Sequence, residues 1–356
     1  MIMKRYSIYI LVISCMLMFG ITSIHSQQVN TLYFLENAPM RHLINPAFQP
    51  VSNVYVTLPV IGYSSAWVGN NAFTMKDFIF TDKNGNTITP YHPNANPDWL
   101  AKKPKNTLID ADAYINLFGL GVRIKDNGYF HLNISEHIIA GAATGTNIFG
   151  INQLDSGLIG PFNLGANALV YTDFALGYSH KINDQWTVGG KFKFLVGQAY
   201  VNANLDNISL AHSMEELHAY GNGNIVAAAP LQWQNLPTDV TDLGNIDTEA
   251  LAGTDYRDWI TPAGLGAAFD LGATYKPHEQ VQISASVTDL GFIRWTNLAK
   301  GNLSIDTTFT GVELNYGDYV YEGELNQDSL TAHLTNTLNG YADALNISDI
   351  DNNAKP

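Results

Sequence analysis

The chain has 356 residues, 46% of them hydrophobic, and sets 18 basic against 32 acidic side chains for a formal net charge of −14. With no clustered Lys or Arg, that balance excludes a nucleic-acid partner, and the length suffices for one large domain or two. The single cysteine, Cys15, lies in an apolar run near the start, so a chain cleaved after that run has no thiol for catalysis, metal binding or a disulfide.

Residues 1–26 read as a secretory signal peptide. Lys4 and Arg5 precede the apolar run Ile8 to Phe19, which is too short to span a bilayer comfortably. Cleavage is expected before Gln27 or Gln28. The rival reading is lipidation at Cys15, where Val12-Ile13-Ser14-Cys15 loosely matches a lipoprotein box, but the hydrophobic Met16 to Phe19 after it argues against that. No other stretch is long and apolar enough for a transmembrane helix, so a place in a membrane requires a closed barrel.

Residues 27–53 form a proline-punctuated arm, expected to be periplasmic. It either enters a lumen as a plug or lies against the rim. Residues 54–316 are expected to hold the barrel strands and their loops. Val54 to Ser65 is a first, irregular strand, and Pro59 implies a sheet edge or a bulge. Three hairpins then follow. Tyr114, Phe118, Leu120, Val122 and Ile124 share a face, the turn is Lys125-Asp126-Asn127-Gly128, and Phe130, Leu132 and Ile134 return. Phe174, Leu176 and Tyr178 lead to Asn183-Asp184-Gln185, after which Phe192 and Phe194 alternate with Lys191 and Lys193; a helix would scatter both sets. In Gly264 to Trp295, Leu265, Ala267, Phe269, Leu271, Ala273 and Tyr275 face one way and Gly264, Gly266, Ala268, Asp270, Gly272, Thr274 and Lys276 the other. Apolar residues opposite small or polar ones are the pattern of a strand between lipid and lumen.

Connections alternate long and short. The segment from Trp67, the glycine-rich 141–165 and the irregular 205–262 are long, whereas the three turns of the hairpins are short. Short periplasmic turns and long external loops are the habit of outer-membrane barrels. Ser213-Met214-Glu215-Glu216 has capping-box form and predicts a short loop helix. Near the end, Leu330, Leu334, Leu338, Tyr341 and Leu345 lie at helical spacing, ahead of a polar tail with Asp349 and Asp351. Residues 317–356 are therefore expected to be a helical or polar segment, an internal loop of a longer protein that lacks its closing strands here. The fold class expected is all-β, an antiparallel transmembrane β-barrel incomplete at the C-terminus, with long external loops and a short amphipathic helix near the end.

The lumen side is expected to carry Arg123, Asp173, Lys191, Lys193, Asp270 and Lys276, either as a mutually neutralising ladder that fills a narrow barrel or as a polar conduit. Tyr129, Trp186 and Tyr275, each beside a short turn, are expected in a periplasmic aromatic girdle. No HExxH, GxSxG or P-loop is present, and Gly119-Leu120-Gly121 and Gly264-Leu265-Gly266 lack the third glycine of a dinucleotide fingerprint. Glu215-x-x-His218 has the spacing of half a di-iron site without its counterpart, and Asp82 to Asn86 reads as a turn, not a calcium loop. No catalytic residue, cofactor or metal is expected.

With those residues in hand, the chain resembles a family of uncharacterised outer-membrane proteins of Gram-negative bacteria, a domain of unknown function. QVNTLYFLENAPMRHLINPAFQP at 28–50, LPVIGY at 58–63 and SVTDLGFIRW at 286–295 carry the likeness. Asn45-Pro46-Ala47 and the AAFDLGATYKP hairpin are also similar to long-chain fatty-acid-transporter-type barrels and to barrels associated with type IX secretion. The resemblance implies a barrel with a periplasmic N-terminal segment and supplies no catalytic residues. The function expected is an outer-membrane barrel with a transport or secretion-accessory role. Its partners would be outer-membrane lipid and either hydrophobic small molecules or secretion-system proteins. The alternative is an exported, non-spanning surface or adhesion protein.

Overall fold

The computed structural model describes residues 30–35, 37–59, 62–81, 85, 87–88, 97–153, 157–212, 217–231, 261–278, 280–309, 320–321, 324–325 and 345–354. The expected signal peptide at residues 1–26, the 213–216 helix signal and the leucine repeat from Leu330 to Tyr341 lie outside them. A short helix at Asn30–Phe34 and a 3-10 turn at Pro39–Leu43 open the described chain. Strands β1 (Val54–Thr57), β2 (Ser64–Asn70), β3 (Phe80–Thr81) and β4 (Thr87–Ile88) follow, interrupted by a one-turn helix at Met75–Phe78. The long strands are β5 (Asn106–Ile124), β6 (Gly128–Gly145), β7 (Gly157–Lys181) and β8 (Trp186–His212). After them come β9 (Leu217–Ala228), β10 (Gly264–His278), β11 (Val281–Trp295) and β12 (Leu298–Phe309). The short β13 (Val320–Tyr321) and β14 (Glu324–Leu325) precede β15 (Leu345–Ala354).

Eleven of these strands form one antiparallel sheet, and it forks. One edge of β8 pairs with β7 along its whole length. Its other edge pairs with β10 over Trp186–Gly197 and with β9 over Tyr200–His212. Beyond the fork one branch runs β10–β11 and the other β9–β12–β15. At the crotch the indole of Trp295 stacks on Tyr200 at 5.3 Å, and Ala228, Ala263 and Leu298 are buried beneath them.

The predicted hairpins are present. Asn183 Oδ1 accepts hydrogen bonds from the amides of Gln185 and Trp186, which closes the β7–β8 turn with Asx chemistry. Several expectations are corrected. The sheet is open among the described residues, since β1 and β11 stand at separate ends of it with no pairing between them, so barrel closure is not seen. Segment 141–165 is mostly strand, because β6 runs to Gly145 and β7 starts at Gly157, and 205–228 is the β8–β9 hairpin. Only four residues join those two strands, so the long–short alternation of loops fails there, and His218 lies in a strand instead of on a helix with Glu215. Leu345 and the polar tail after it form β15, paired with β12, where a helix end and loose tail were expected. At β9 asparagine and glycine supply no apolar half of a period-two signal, and at β15 the helical spacing of the preceding leucines runs on to Leu345, the first residue of the strand.

The two faces of the sheet are sorted. Following the registers across β5, β6, β7, β8, β10 and β11 gives one row of Phe118, Ile134, Phe174, Phe194, Ala267 and Phe292. The next row toward the short turns is Leu120, Leu132, Leu176, Phe192, Phe269 and Leu290. This face is open: Phe292 is 69% exposed and Phe269 53%. The opposite face is polar and covered. The largest fully buried side chains are Tyr129, His42, His131, Asn45, Asn116 and Asn133, the reverse of a water-soluble core.

Candidate functional site

What covers the polar face is the arm. Met40, Arg41, His42, Asn45, Ala47 and Phe48 are all buried against it. Asn45 is the anchor. Its Nδ2 donates to the carbonyls of Ala273 and Ala285, at 3.3 and 3.1 Å, bridging β10 and β11, while its Oδ1 accepts the amide of Ala47. The backbone approaches so closely because two glycines lie beneath it. A Cβ on Gly189 would sit 2.2 Å from the Pro46 carbonyl oxygen, and one on Gly272 would sit 2.0 Å from Asn45 Oδ1. Further along, Ser286 donates to the Ile44 carbonyl at 2.8 Å, and Gln49 donates to the Asn127 carbonyl at 3.0 Å.

His42 is fully buried at the centre of the contact. Its ring stacks on His131 at 4.3 Å, its Nε2 meets the Tyr55 hydroxyl at 2.8 Å, and its carbonyl accepts a hydrogen bond from Lys191 Nζ at 3.0 Å. Burial, with the neighbouring His131 and the charges of Lys191 and Lys193 adding to it, holds the His42 imidazole well below its ordinary range. It is therefore a neutral ring in a hydrogen-bonded stack.

Beside it lies the charged cluster. Asp270 Oδ2 stands 3.0 Å from Lys193 Nζ and 3.4 Å from Lys191 Nζ, and Lys193 also pairs with Asp289. Asp173, one strand over, stands 3.5 Å from His137. Four of the predicted lumen residues, Asp173, Lys191, Lys193 and Asp270, are thus buried side by side on the covered face. Arg123 belongs to the arm contact instead. Its guanidinium donates to Gln49 Oε1, to the Pro50 carbonyl and to Asn53 Oδ1, and lies over the Tyr129 ring at 5.3 Å. Lys276 is exposed at the end of β10 and stands outside the cluster.

Tyr129 is corrected: it is wholly buried on the covered face, stacked on Tyr55 at 6.3 Å, and takes no part in an outward girdle. Trp186 and Tyr275 do lie on the open face, stacked on each other at 4.5 Å. Asp289 was missed. Strict alternation puts it with Val287 on the apolar face, but the register shifts between Phe269 and Leu271, and its carboxylate swings to Lys193. The paired run Asp289-Leu290-Gly291 opposite Asp270 was the available signal. Among the described residues no group of His, Cys, Asp and Glu has metal-site geometry. Chemically, the arrangement offers fixed, mutually compensated charges and a seated arm.

The profile of a family of unknown function, DUF5723, matches residues 46–349. The chain belongs to DUF5723. No curated protein and no solved structure matches it. The matched region begins at Pro46, so the DUF5723 profile takes in the end of the arm together with the cluster residues Asp173, Lys191, Lys193, Asp270 and Asp289.

Proposed function

We propose that this DUF5723 chain is an outer-membrane β-barrel protein with a transport or secretion-accessory role, its polar interior closed by residues 38–50. The observation that carries this reading is the reversed sorting of the two faces. The open face is apolar from the short turns upward and apolar again in the row Ala113, Ile138, Val170 and Ala199, with one polar row between. The row Ile115, Glu136, Thr172, Val196, Leu265 and Arg294 interrupts it with charge. There Thr172 donates to Glu136 at 2.7 Å and Gln198 donates to Thr172 at 2.7 Å, so the polar groups satisfy one another. At the short-turn end stand Trp186, Tyr275 and Ile283. β11 carries this face from Ile283 to Arg294, as long as the about 9–11 residues that a strand tilted by about 45° needs to cross a bilayer. Trp186 and Tyr275 then sit at the headgroup level near the short turns.

The interior charges of such a barrel need not be catalytic. Lys191, Lys193, Asp270 and Asp289 would fix the wall against which the arm seats, and cargo passage would require the arm to move. Sodium carbonate extraction of cell envelopes, with gel mobility compared before and after boiling, tests the reading. Retention in the pellet and a heat-dependent mobility shift support it. Release into the carbonate supernatant would favour the non-spanning surface protein and end the barrel proposal.

A further inference from the structure

Beyond the charged row the covered side of the sheet changes character. Tracing the same registers upward gives a row of Leu108, Ala143, Gly165, Asn204, Asn224 and Asn302. Adjacent rows add Asn167 and Asn202 on one side and Asp206 and Asn222 on the other. Asparagine side chains thus span β7, β8, β9 and β12, and Asn204, Asn222, Asn224 and Asn302 are exposed. Asn204 Nδ2 donates to Asn202 Oδ1 at 2.6 Å, which orients the first two amides of the ladder.

One end of that ladder is a cavity of about 400 Å³, within the about 300–1,000 Å³ range of small-molecule sites. Its floor is small and apolar, Ala143 and Gly165. Leu108 stands on one side, Asn204 and Asp206 on the other, and Phe162 closes the end. A Cβ on Gly165 would come within 3.3 Å of Asn204 Oδ1, so glycine leaves that amide room at the floor.

From this we infer that the asparagine face and its end cavity bind a neutral oligosaccharide. A primary amide both donates and accepts, and so does a sugar hydroxyl, so each Asn can serve a hydroxyl whichever way it points. The apolar floor suits the C–H face of a pyranose. Asp206 is the one ionisable group in the cavity lining, and no cation lines it, which disfavours anionic ligands. Adjacent strands space the amides by about 4.8 Å, comparable to one pyranose ring, so a chain of sugars laid across β8, β9 and β12 would meet an amide at each strand. A peptide held through its backbone needs a free sheet edge, and β7, β8 and β9 are each paired on both sides here. The site lies on the covered side above the polar row and stands whether or not the open face meets lipid.

The test is calorimetric titration of the detergent-purified full chain with maltohexaose, cellohexaose and mannohexaose, and with a heparin hexasaccharide and hexaglycine for comparison. At least one neutral hexasaccharide should bind. The double variant N204A/N224A should weaken it by about fivefold or more, through the loss of two amide–hydroxyl bonds. Both substitutions fall on exposed side chains, so fold stability should hold, and unchanged gel mobility before boiling verifies that. The inference is overturned if no neutral hexasaccharide binds, if the heparin fragment or the peptide binds instead, or if the double variant binds as the native chain does.

Discussion

Gly189 and Gly190 are neighbours in β8 that meet opposite surroundings. A Cβ on Gly189 would press into the backbone of Pro46 and Ala47, at 2.2 to 2.6 Å. One on Gly190 would reach nothing nearer than Leu271 Cδ2 at 3.7 Å, on the open face. Backbone cannot move aside as a flexible side-chain tip can, so Gly189→Val should unseat the arm whereas Gly190→Val should leave it in place. Limited proteolysis of the purified protein checks this: cleavage within residues 36–50 should rise at least about tenfold in G189V, an opening shift of about 1.4 kcal/mol. Equal protection in the two variants would show that the arm is held by something other than this close contact. The glycine was readable in the sequence as a small residue on a crowded face; that the crowding comes from the arm was not, because nothing in a period-two pattern names the covering segment.

At the scale of elements, the one-turn helix Met75–Phe78 shows how a short piece is fixed by charge. The Asp77 carboxylate accepts the Thr74 amide at 2.7 Å and the Thr74 hydroxyl at 2.8 Å, and pairs with Lys103 at 2.6 Å. The Lys103 contact first, and the Thr74 hydrogen bonds after it, lower the Asp77 carboxyl from its ordinary 3.8 to about 2. A depressed carboxyl stabilises the folded segment above its unfolded value, and that contribution is lost as pH falls from about 3.8 toward about 2. Amide exchange at Thr74 should therefore accelerate across this window in the native chain, whereas D77N should exchange fast throughout with no step. A step that persists in D77N would assign the titration to another group.

Strands and turns divide in the same way between what the sequence displays and what it hides. The hairpins around Asn127, Asp184 and Glu279 were legible because bulky apolar side chains alternate with small ones and turn residues mark the ends. The continuation of β8 past Asn204 and strand β9 were not, because Asp206-Asn207 and Asn222-Gly223-Asn224 have no apolar partner positions strong enough to set a period. Asp289 was hidden by a register shift, which moves a side chain across the sheet without altering composition.

The sheet as a whole leaves its apolar face open, and two environments give opposite expectations for a charge placed there. Phe194 lies mid-belt, in the row with Phe174 and Phe292, and is 43% exposed. In water, Phe194→Arg would remove part of an exposed apolar patch and improve solubility at little structural expense. In lipid the same change places a guanidinium near the midplane, at about 2–4 kcal/mol against insertion. Arg294→Ala, in the row that already carries charge, should be close to neutral, since interfacial substitutions cost about 0–1 kcal/mol. The expected outcome is a carbonate-resistant fraction that falls steeply for F194R and is unchanged for R294A. A variant series in which F194R is better behaved than the native chain would mean that the aromatic rows meet water or another protein. The apolar height between Ile283 and Arg294 would then have nothing to do with bilayer thickness.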